Sequence, residues 1–472
     1  MFSNEETICA LATAQGSGAI GIVRLSGRDA IKIAGLIFSA PLEKAQPYKM
    51  LYGSVRNGNE TIDEALAVKF KAPRSYTGED CVEIYCHASS YIEQRIIMLL
   101  ISKGARMAEP GEFSKRAFLN GKMDLAQAEA VADLIASQSA AAHKVALNQM
   151  RGGFSKELNL MREELVNLVS LMELELDFSE EEVEFADRGR LRELLESVGS
   201  KIDKLIDSFS LGNVIKNGVP VAIVGATNTG KSTLLNALLG EEKAIVSEIH
   251  GTTRDIIEDC VNLNGTTFRF IDTAGIRQTQ ERIEIIGIER TYSRLKQASI
   301  VILMLDLCRS SDFSAAIENL SCRFDPNSQR LVIVLNKRDE FEQTTDAAEM
   351  QINNLVEMVK GLSYPMAPLA VLPLSAKKGV GLGRLVETIT GSQRDISMDS
   401  DVVLVTNARH FQALKGAKQA LQRGNEGIIS GIPTDLVAQD IREALYHIGT
   451  IVGEISTDEI LGSIFSKFCI GK

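Results

Sequence analysis

The chain has 472 residues, a formal net charge of −11, 45% hydrophobic and 24% charged positions, the make-up of an ordinary globular protein too long for one hydrophobic core. No run of 18 apolar residues occurs, and MFSNEETICALATAQG lacks a basic stretch leading into an apolar one, so neither a membrane span nor a secretory leader is expected, and the expected compartment is cytoplasmic. Seven scattered cysteines without CxxC spacing and five isolated histidines speak against a zinc site or a His-built metal centre, and the acidic balance disfavours extensive unaided binding to nucleic acid.

Residues 1–120 mix β-type runs (GAIGIVRLSG, EALAVKFKAP, CVEIYCHAS) with one helical stretch, YIEQRIIMLLISKG, and read as an α+β domain. Lys103, Arg106, Lys115, Arg116 and Lys122 form the clearest basic cluster and read as a solvated face. Over 121–216 the pattern turns helical. Leu158, Met161, Leu165, Leu168 and Met172 recur at spacings of three and four, which puts them on one helix face. Leu194, Leu195, Val198, Ile202, Leu205 and Ile206 do the same in the next helix. The acidic run from Glu173 to Glu184 reads as a solvated helix end and loop. Over 217–394 apolar strands alternate with helices (VAIVGA, FRFIDTAG, VILMLDL, RLVIVLNKRD, LAVLPLSA), which implies a parallel sheet covered on both faces. Residues 395–472 return to helical periodicity. The expected fold class is α/β + α: a Ras-like P-loop domain inserted into a helical domain, preceded by the α+β domain.

The inserted segment carries four motifs. Gly225-Ala226-Thr227-Asn228-Thr229-Gly230-Lys231-Ser232 follows a strand and opens a helix, the context in which GxxxxGK[ST] cradles phosphates with backbone N–H groups. Lys231 is expected to reach the β- and γ-phosphates and Ser232 to ligate Mg²⁺, with Thr233 following in the same turn. Asp272-Thr273-Ala274-Gly275 closes a strand where a carboxylate would hold Mg²⁺ through water and the Gly275 N–H would sense the γ-phosphate. Between them Ser247-Glu248-Ile249-His250-Gly251-Thr252-Thr253 is expected at the nucleotide, with Thr253 as a hydroxyl ligand of the metal. Asn336-Lys337-Arg338-Asp339 supplies a carboxylate that accepts from guanine N1–H and N2–H₂, a donor pair adenine lacks, and Ser375-Ala376-Lys377 is expected to back the guanine O6. The nucleotide implied is GTP. The residue after Gly275 is Ile276, whose side chain cannot polarise water, so Arg277, Gln278, Glu281 and Glu284 stay open as water-orienting groups.

With these motifs in place, the chain resembles the MnmE (TrmE) family of bacterial tRNA-modification GTPases. The resemblance rests on ETICALATAQGSGAIGIVRLSG, SYTGEDCVEIYCH, GEFSKRAFLNGKMDLAQAEAVADLI, GTTRD, DTAGIR with IGIER, and FCIGK. It implies a homodimer that joins an FAD-dependent partner of the MnmG (GidA) kind in a heterotetramer. The pair would act on tRNA to install an aminomethyl-type or carboxymethylaminomethyl-type group at C5 of the wobble uridine. It implies a tetrahydrofolate one-carbon donor, 5-formyl or 5,10-methylene, held by Arg24, Glu83, Lys122 and Lys472. It also implies K⁺ held by Asn228 and the loop at Ser247, Ile249 and Thr252, and water orientation by Glu284. Cys469 reads either as a nucleophile or acid/base near the one-carbon unit, or as a small buried hydrophobe.

Three places depart from the family pattern: Thr227 in the phosphate loop, Ala14-Gln15, and His87-Ala88-Ser89. A competing reading is a ribosome-assembly GTPase switch like Era or Der, without modification chemistry. Such a switch needs a basic RNA-binding module, and no KH-type GxxG loop is visible. A folate-storage or scaffold role would leave the GTPase motifs idle.

Overall fold

The computed structural model describes residues 6–177, 188–240, 259–271, 295, 297–344, 347–362, 364, 366–392 and 403–471, with side chains undescribed at 174–177 and 344. The chain divides into two compact units. The first gathers Met1–Ile135, Leu147–Ser200 and Gln412–Lys472, and the second Ala136–Ala146 and Lys201–Phe411.

In the first unit, six strands form a sheet: β1 (Ile8–Leu11), β2 (Gly21–Ser26), β3 (Leu51–Asn57), β4 (Glu60–Phe70), β5 (Cys81–Cys86) and β6 (Arg106–Met107), in the order β3-β4-β5-β2-β1-β6. Neighbours are antiparallel except β1 and β6. Alternation decides which faces are buried: Val23, Leu25, Val82 and Ile84 point into a core with Ile96, Leu99 and Leu100 of the helix Ser90–Ser102. The intervening Arg24 and Glu83 stand opposite each other in register on the other face. In the helix Gly153–Asp177, Leu158, Met161, Leu165, Leu168 and Met172 are all buried, and this stripe packs against the helix Thr434–Val452. Ion pairs Arg162–Glu454 and Glu173–Arg442 flank that seam.

The basic cluster is a solvated face only in part, at Lys103 and Lys122. Arg116 is buried, and its guanidinium lies 2.9 Å from Glu112 and 3.2 Å from Glu79. Arg106 pairs with the same Glu112 at 2.6 Å and with Glu6 at 2.9 Å. The cause is helical spacing: in Glu112–Leu119, Glu112 and Arg116 are one turn apart and share the inward face.

In the second unit, β7 (Val219–Gly225), β8 (Asp259–Leu263), β9 (Thr266–Ile271), β10 (Ile300–Asp306), β11 (Arg330–Asn336) and β12 (Ala370–Pro373) are ordered β12-β11-β10-β7-β9-β8. All seven residues of β10 are buried, as a central parallel strand requires. Leu234, Leu235, Leu238, Leu385 and Ile389 cover one face, and Phe313, Ile317, Leu320, Ile352 and Val359 the other. The sheet is not wholly parallel, because β8 runs antiparallel to β9. Asn264 and Gly265 both have positive φ between them, the geometry of a two-residue hairpin turn that reverses the chain. Among the described residues no helix is long and apolar enough to cross a membrane.

Burial pushes the Glu112 carboxyl up, but hydrogen bonds from Arg106, the Glu109 N–H and Arg116 outweigh it and hold the group below its ordinary value. A depressed carboxyl stabilises the fold above its unfolded pKa, about 4.3, and that contribution disappears as pH falls through the folded value. Glu112→Gln is therefore expected to lower unfolding free energy at pH 7 by on the order of 3 kcal/mol. In denaturant titrations the gap from wild type should close towards acid pH; a gap independent of pH would exclude the ionic account.

Candidate active site

The loop from β7 to the helix Lys231–Leu239 is shaped by close backbone approach. Gly225 has φ of +152°, and a Cβ there would stand 2.4 Å from the Met304 carbonyl oxygen of β10. Asn228 takes a left-handed φ of +63°, and its side chain is exposed. Thr229 is buried and donates its hydroxyl to the Ala226 carbonyl at 2.9 Å, closing the loop on itself. The Lys231 ammonium donates to the Gly225 and Ala226 carbonyls at 2.9 and 2.7 Å, and burial pushes its pKa down. The lysine thus caps two carbonyls at the rim of a helix N-terminus, where the first amides and the helix dipole favour an anion. Ser232, half-buried, and Thr233, exposed, complete that first turn.

The base motif is joined to this loop by one side chain. Asn336, 3% exposed at the end of β11, donates to the Thr229 carbonyl at 2.7 Å and accepts from the Ala376 N–H at 3.0 Å. Ser375 donates its hydroxyl to Asp339 at 2.7 Å and accepts from the Lys378 N–H at 3.1 Å. The serine's hydrogen bond is the main reason the Asp339 carboxyl lies below its usual range, so it is an anion ready to accept. Ser375 and Ala376, expected beside guanine O6, here brace Asp339 and Asn336. Lys337 holds a left-handed φ of +67°, with its ammonium 2.7 Å from the buried Asp306 carboxylate. Sequence reasoning passed over Asp306; the available signal was an acid closing the otherwise apolar strand VILMLD.

Ser247, Glu248, Ile249, His250, Gly251, Thr252, Thr253, Asp272, Thr273, Ala274, Gly275, Glu284 and Lys472 lie outside the described residues, as do the alternatives Arg277, Gln278 and Glu281. Among the described residues no cluster of three or more His, Cys, Asp or Glu side chains is placed to hold a metal. The expected magnesium set contributes Ser232 to them, and the potassium set Asn228.

A second polar site occupies the sheet of the first unit. The Arg24 guanidinium pairs with Glu83 at 2.9 Å and lies over the rings of Tyr76 and Phe113, at 5.4 and 5.8 Å from their centroids. Tyr85 donates its hydroxyl to the other Glu83 oxygen at 2.9 Å. Register brings Arg24 and Glu83 together, so they act as one unit rather than as separate charges. Lys122 is exposed and donates to the Pro73 carbonyl at 3.0 Å. Cys469 is exposed, and its carbonyl accepts from the Gly111 N–H, two residues before Phe113.

Two family models match the chain: one described as the MnmE helical domain over residues 125–469, the other as the GTP-binding protein TrmE N-terminus over residues 7–122. The tRNA modification GTPase MnmE of Bacteroides thetaiotaomicron is 52% identical over 476 residues, covering 99% of this chain and 100% of that protein. Its namesake in Flavobacterium johnsoniae is 47% identical over 477 residues, with 99% and 100% covered. Among solved structures, a GTP-binding protein of Sulfolobus solfataricus in complex with GDP is 19% identical at a TM-score of 0.29, covering 50% of this chain and 68% of that one. The G domain of the T. maritima FeoB iron transporter is 25% identical at a TM-score of 0.25, covering 37% and 98%.

Asp339→Asn replaces one of two acceptors by a donor. Since hydrogen bonds to a charged group are worth about 1.5–3 kcal/mol each, GTP affinity should fall by ~10²-fold or more. Xanthosine triphosphate, which offers an acceptor at C2, should become the preferred ligand in a fluorescent-nucleotide competition assay. An unchanged preference for GTP would remove Asp339 from the base site.

Proposed function

The chain belongs to the MnmE (TrmE) family, and from that we propose that it is a GTPase whose hydrolytic cycle serves the modification of tRNA. The observation that carries the reading is the Asn336 bridge, which joins the loop after β7 to the loop after β12, in a chain matched along its length by tRNA-modification GTPases. The ribosome-assembly switch gives way, since residues 7–122 match the TrmE N-terminus and the curated relatives along the whole chain are tRNA-modification GTPases.

The chain's own residues divide the work. The amides of Asn228 through Thr233 and the Lys231 ammonium bind the β- and γ-phosphates, for which Lys231 must leave the Gly225 and Ala226 carbonyls. Asp339, oriented by Ser375, selects guanine. Ser232, with Thr253 and Asp272, would hold Mg²⁺, which neutralises charge developing on the phosphates when bound. Asn228 with Ser247, Ile249 and Thr252 would hold K⁺, and Glu284 would orient the attacking water in place of Ile276.

We further read Arg24, Glu83, Lys122 and Lys472 as the holders of a tetrahydrofolate. The Arg24–Glu83 pair suits such a ligand, because it presents a cation and a carboxylate acceptor side by side beside the aromatic rings of Tyr76 and Phe113. Cys469 then acts at the one-carbon unit. In this reading residues 1–120 form the folate-binding and dimerisation domain, 217–394 the nucleotide domain, and 121–216 with 395–472 the helical domain. The working assembly is a homodimer with an FAD-dependent MnmG-type partner, modifying C5 of wobble uridine.

Three experiments test this. Lys231→Ala should abolish both GTP turnover and modification, whereas Cys469→Ser should spare turnover and abolish modification, read by mass spectrometry of tRNA nucleosides from complemented deletion strains. Full modification by Cys469→Ser would leave the exposed thiol without a part in the chemistry. Separately, hydrolysis should run faster in KCl than in NaCl at matched ionic strength, and equal rates would eliminate the potassium site. Glu284→Ala should keep GTP affinity while lowering kcat by ~10²-fold or more, as befits a group acting in the transition state.

A further inference from the structure

The segment after the helix Asp458–Phe465 is fastened at three points, one of them on the sheet. The Phe468 ring lies 5.3 Å from that of Phe465, in a cluster with Leu125 and Ala128. Ile470 pairs antiparallel with Pro110, and the Cys469 carbonyl takes the Gly111 N–H at 3.4 Å. Gly471 is the third point. It is buried while Cys469 and Ile470 are exposed, and its φ is +96°. An L-Cβ built there would stand 2.0 Å from the Leu11 carbonyl oxygen and 3.2 Å from the Ala12 Cα. Both neighbours are backbone, at the end of β1 where Leu11 pairs with Val23 of β2, so no rotamer change can make room. The facing loop has the same character, since a Cβ on Gly111 would meet the Phe465 carbonyl oxygen at 2.7 Å.

Ala10 lies opposite Arg24, and Phe113 lies under the Arg24 guanidinium. The strand that grips the tail is therefore the neighbour of the strand carrying Arg24, and the loop that grips it leads into the helix whose Phe113 lies under the guanidinium. We propose that Gly471 is a positioning residue: its missing side chain lets the tail sit against β1, and this fixes Cys469 at the edge of that polar site. The proposal rests on the reading of Cys469 as a working residue of tRNA modification. Any L-residue at 471 pays twice, through a disfavoured positive φ and through overlap with Leu11, and must withdraw the tail.

The test uses the full 472-residue chain, assembled by ligating a thioester ending at Phe468 to the peptide Cys-Ile-X-Lys, with X as glycine, L-alanine or D-alanine. D-Alanine favours positive φ and projects its methyl along the other Cα–H direction. The L-alanine chain should lose modification by at least about 10²-fold, the scale of an ångström's misplacement. GTP kcat and KM should stay at their glycine values, and hydrogen exchange at the Gly111 amide should speed up. The D-alanine chain should recover modification and slow exchange. An L-alanine chain with undiminished modification would overturn the proposal, as would a D-alanine chain no better than the L form. If Cys469→Ser retains modification while the L-alanine chain still shows fast Gly111 exchange, the reading of the thiol has failed and the seat stands.

Discussion

The nucleotide site depends on the carboxamide of Asn336. Its two hydrogen bonds reach the phosphate loop through Thr229 and the loop after β12 through Ala376, and both are buried. A buried hydrogen bond contributes about 1 kcal/mol net, but losing one partner leaves a polar group unsatisfied at about 1–3 kcal/mol. The larger consequence is geometric. A nucleotide must place its base and its phosphates at a fixed separation, and these three loops leave different strands. β7, β11 and β12 set their roots by parallel pairing, and Asn336 sets their tips. Asp339 takes a further hydrogen bond from Ser375, which in the proposed reading orients it as an anion towards the base.

Much of this was legible because the chemistry is local in the chain. A phosphate loop must follow a strand and open a helix, so GATNTGKS carried its own context, and the apolar runs of β7, β10 and β11 are continuous enough to read as buried strands. Helical stripes such as Leu158 to Met172 declared their buried face by spacing alone. What stayed hidden depends on partners far away in sequence. β1 and β6 span four and two residues, too short for periodicity. β8 was missed although Asn264-Gly265 is a strong hairpin signal, because the alternation of strands and helices around it argued for parallel order.

Charges were the hardest to read. Arg116, Arg106 and Lys122 look alike in a sequence, yet one is buried between two carboxylates, one is shared by two acids, and one is exposed on a backbone carbonyl. Arg24 and Glu83 are 59 residues apart and become one pair only through the register of β2 and β5. Asp306 belongs to the same class, since its link to Lys337 follows from β10 and β11 ending level, with Asp306 opposite Asn336.

The two kinds of contact at the nucleotide site also differ in what they can do for the reaction. Contacts to guanine are the same before and during hydrolysis, so the group proposed to meet it, Asp339, would strengthen ground state and transition state alike. Acceleration has to come from groups that meet the nucleophile, or the charge that develops on the β–γ bridge and the γ-phosphate in the transition state. Ile276 is unable to do so, and in the reading proposed above a cation at Asn228 and an acid such as Glu284 would take the task. Lys231 stands between the two classes. Its ammonium rests on the Gly225 and Ala226 carbonyls with its pKa pushed down by burial, and a triphosphate offers stronger, charged acceptors in their place. Exchanging neutral carbonyls for phosphate oxygens gives the loop affinity for the ligand, and more charge gathering on those oxygens in the transition state tightens the same contact further.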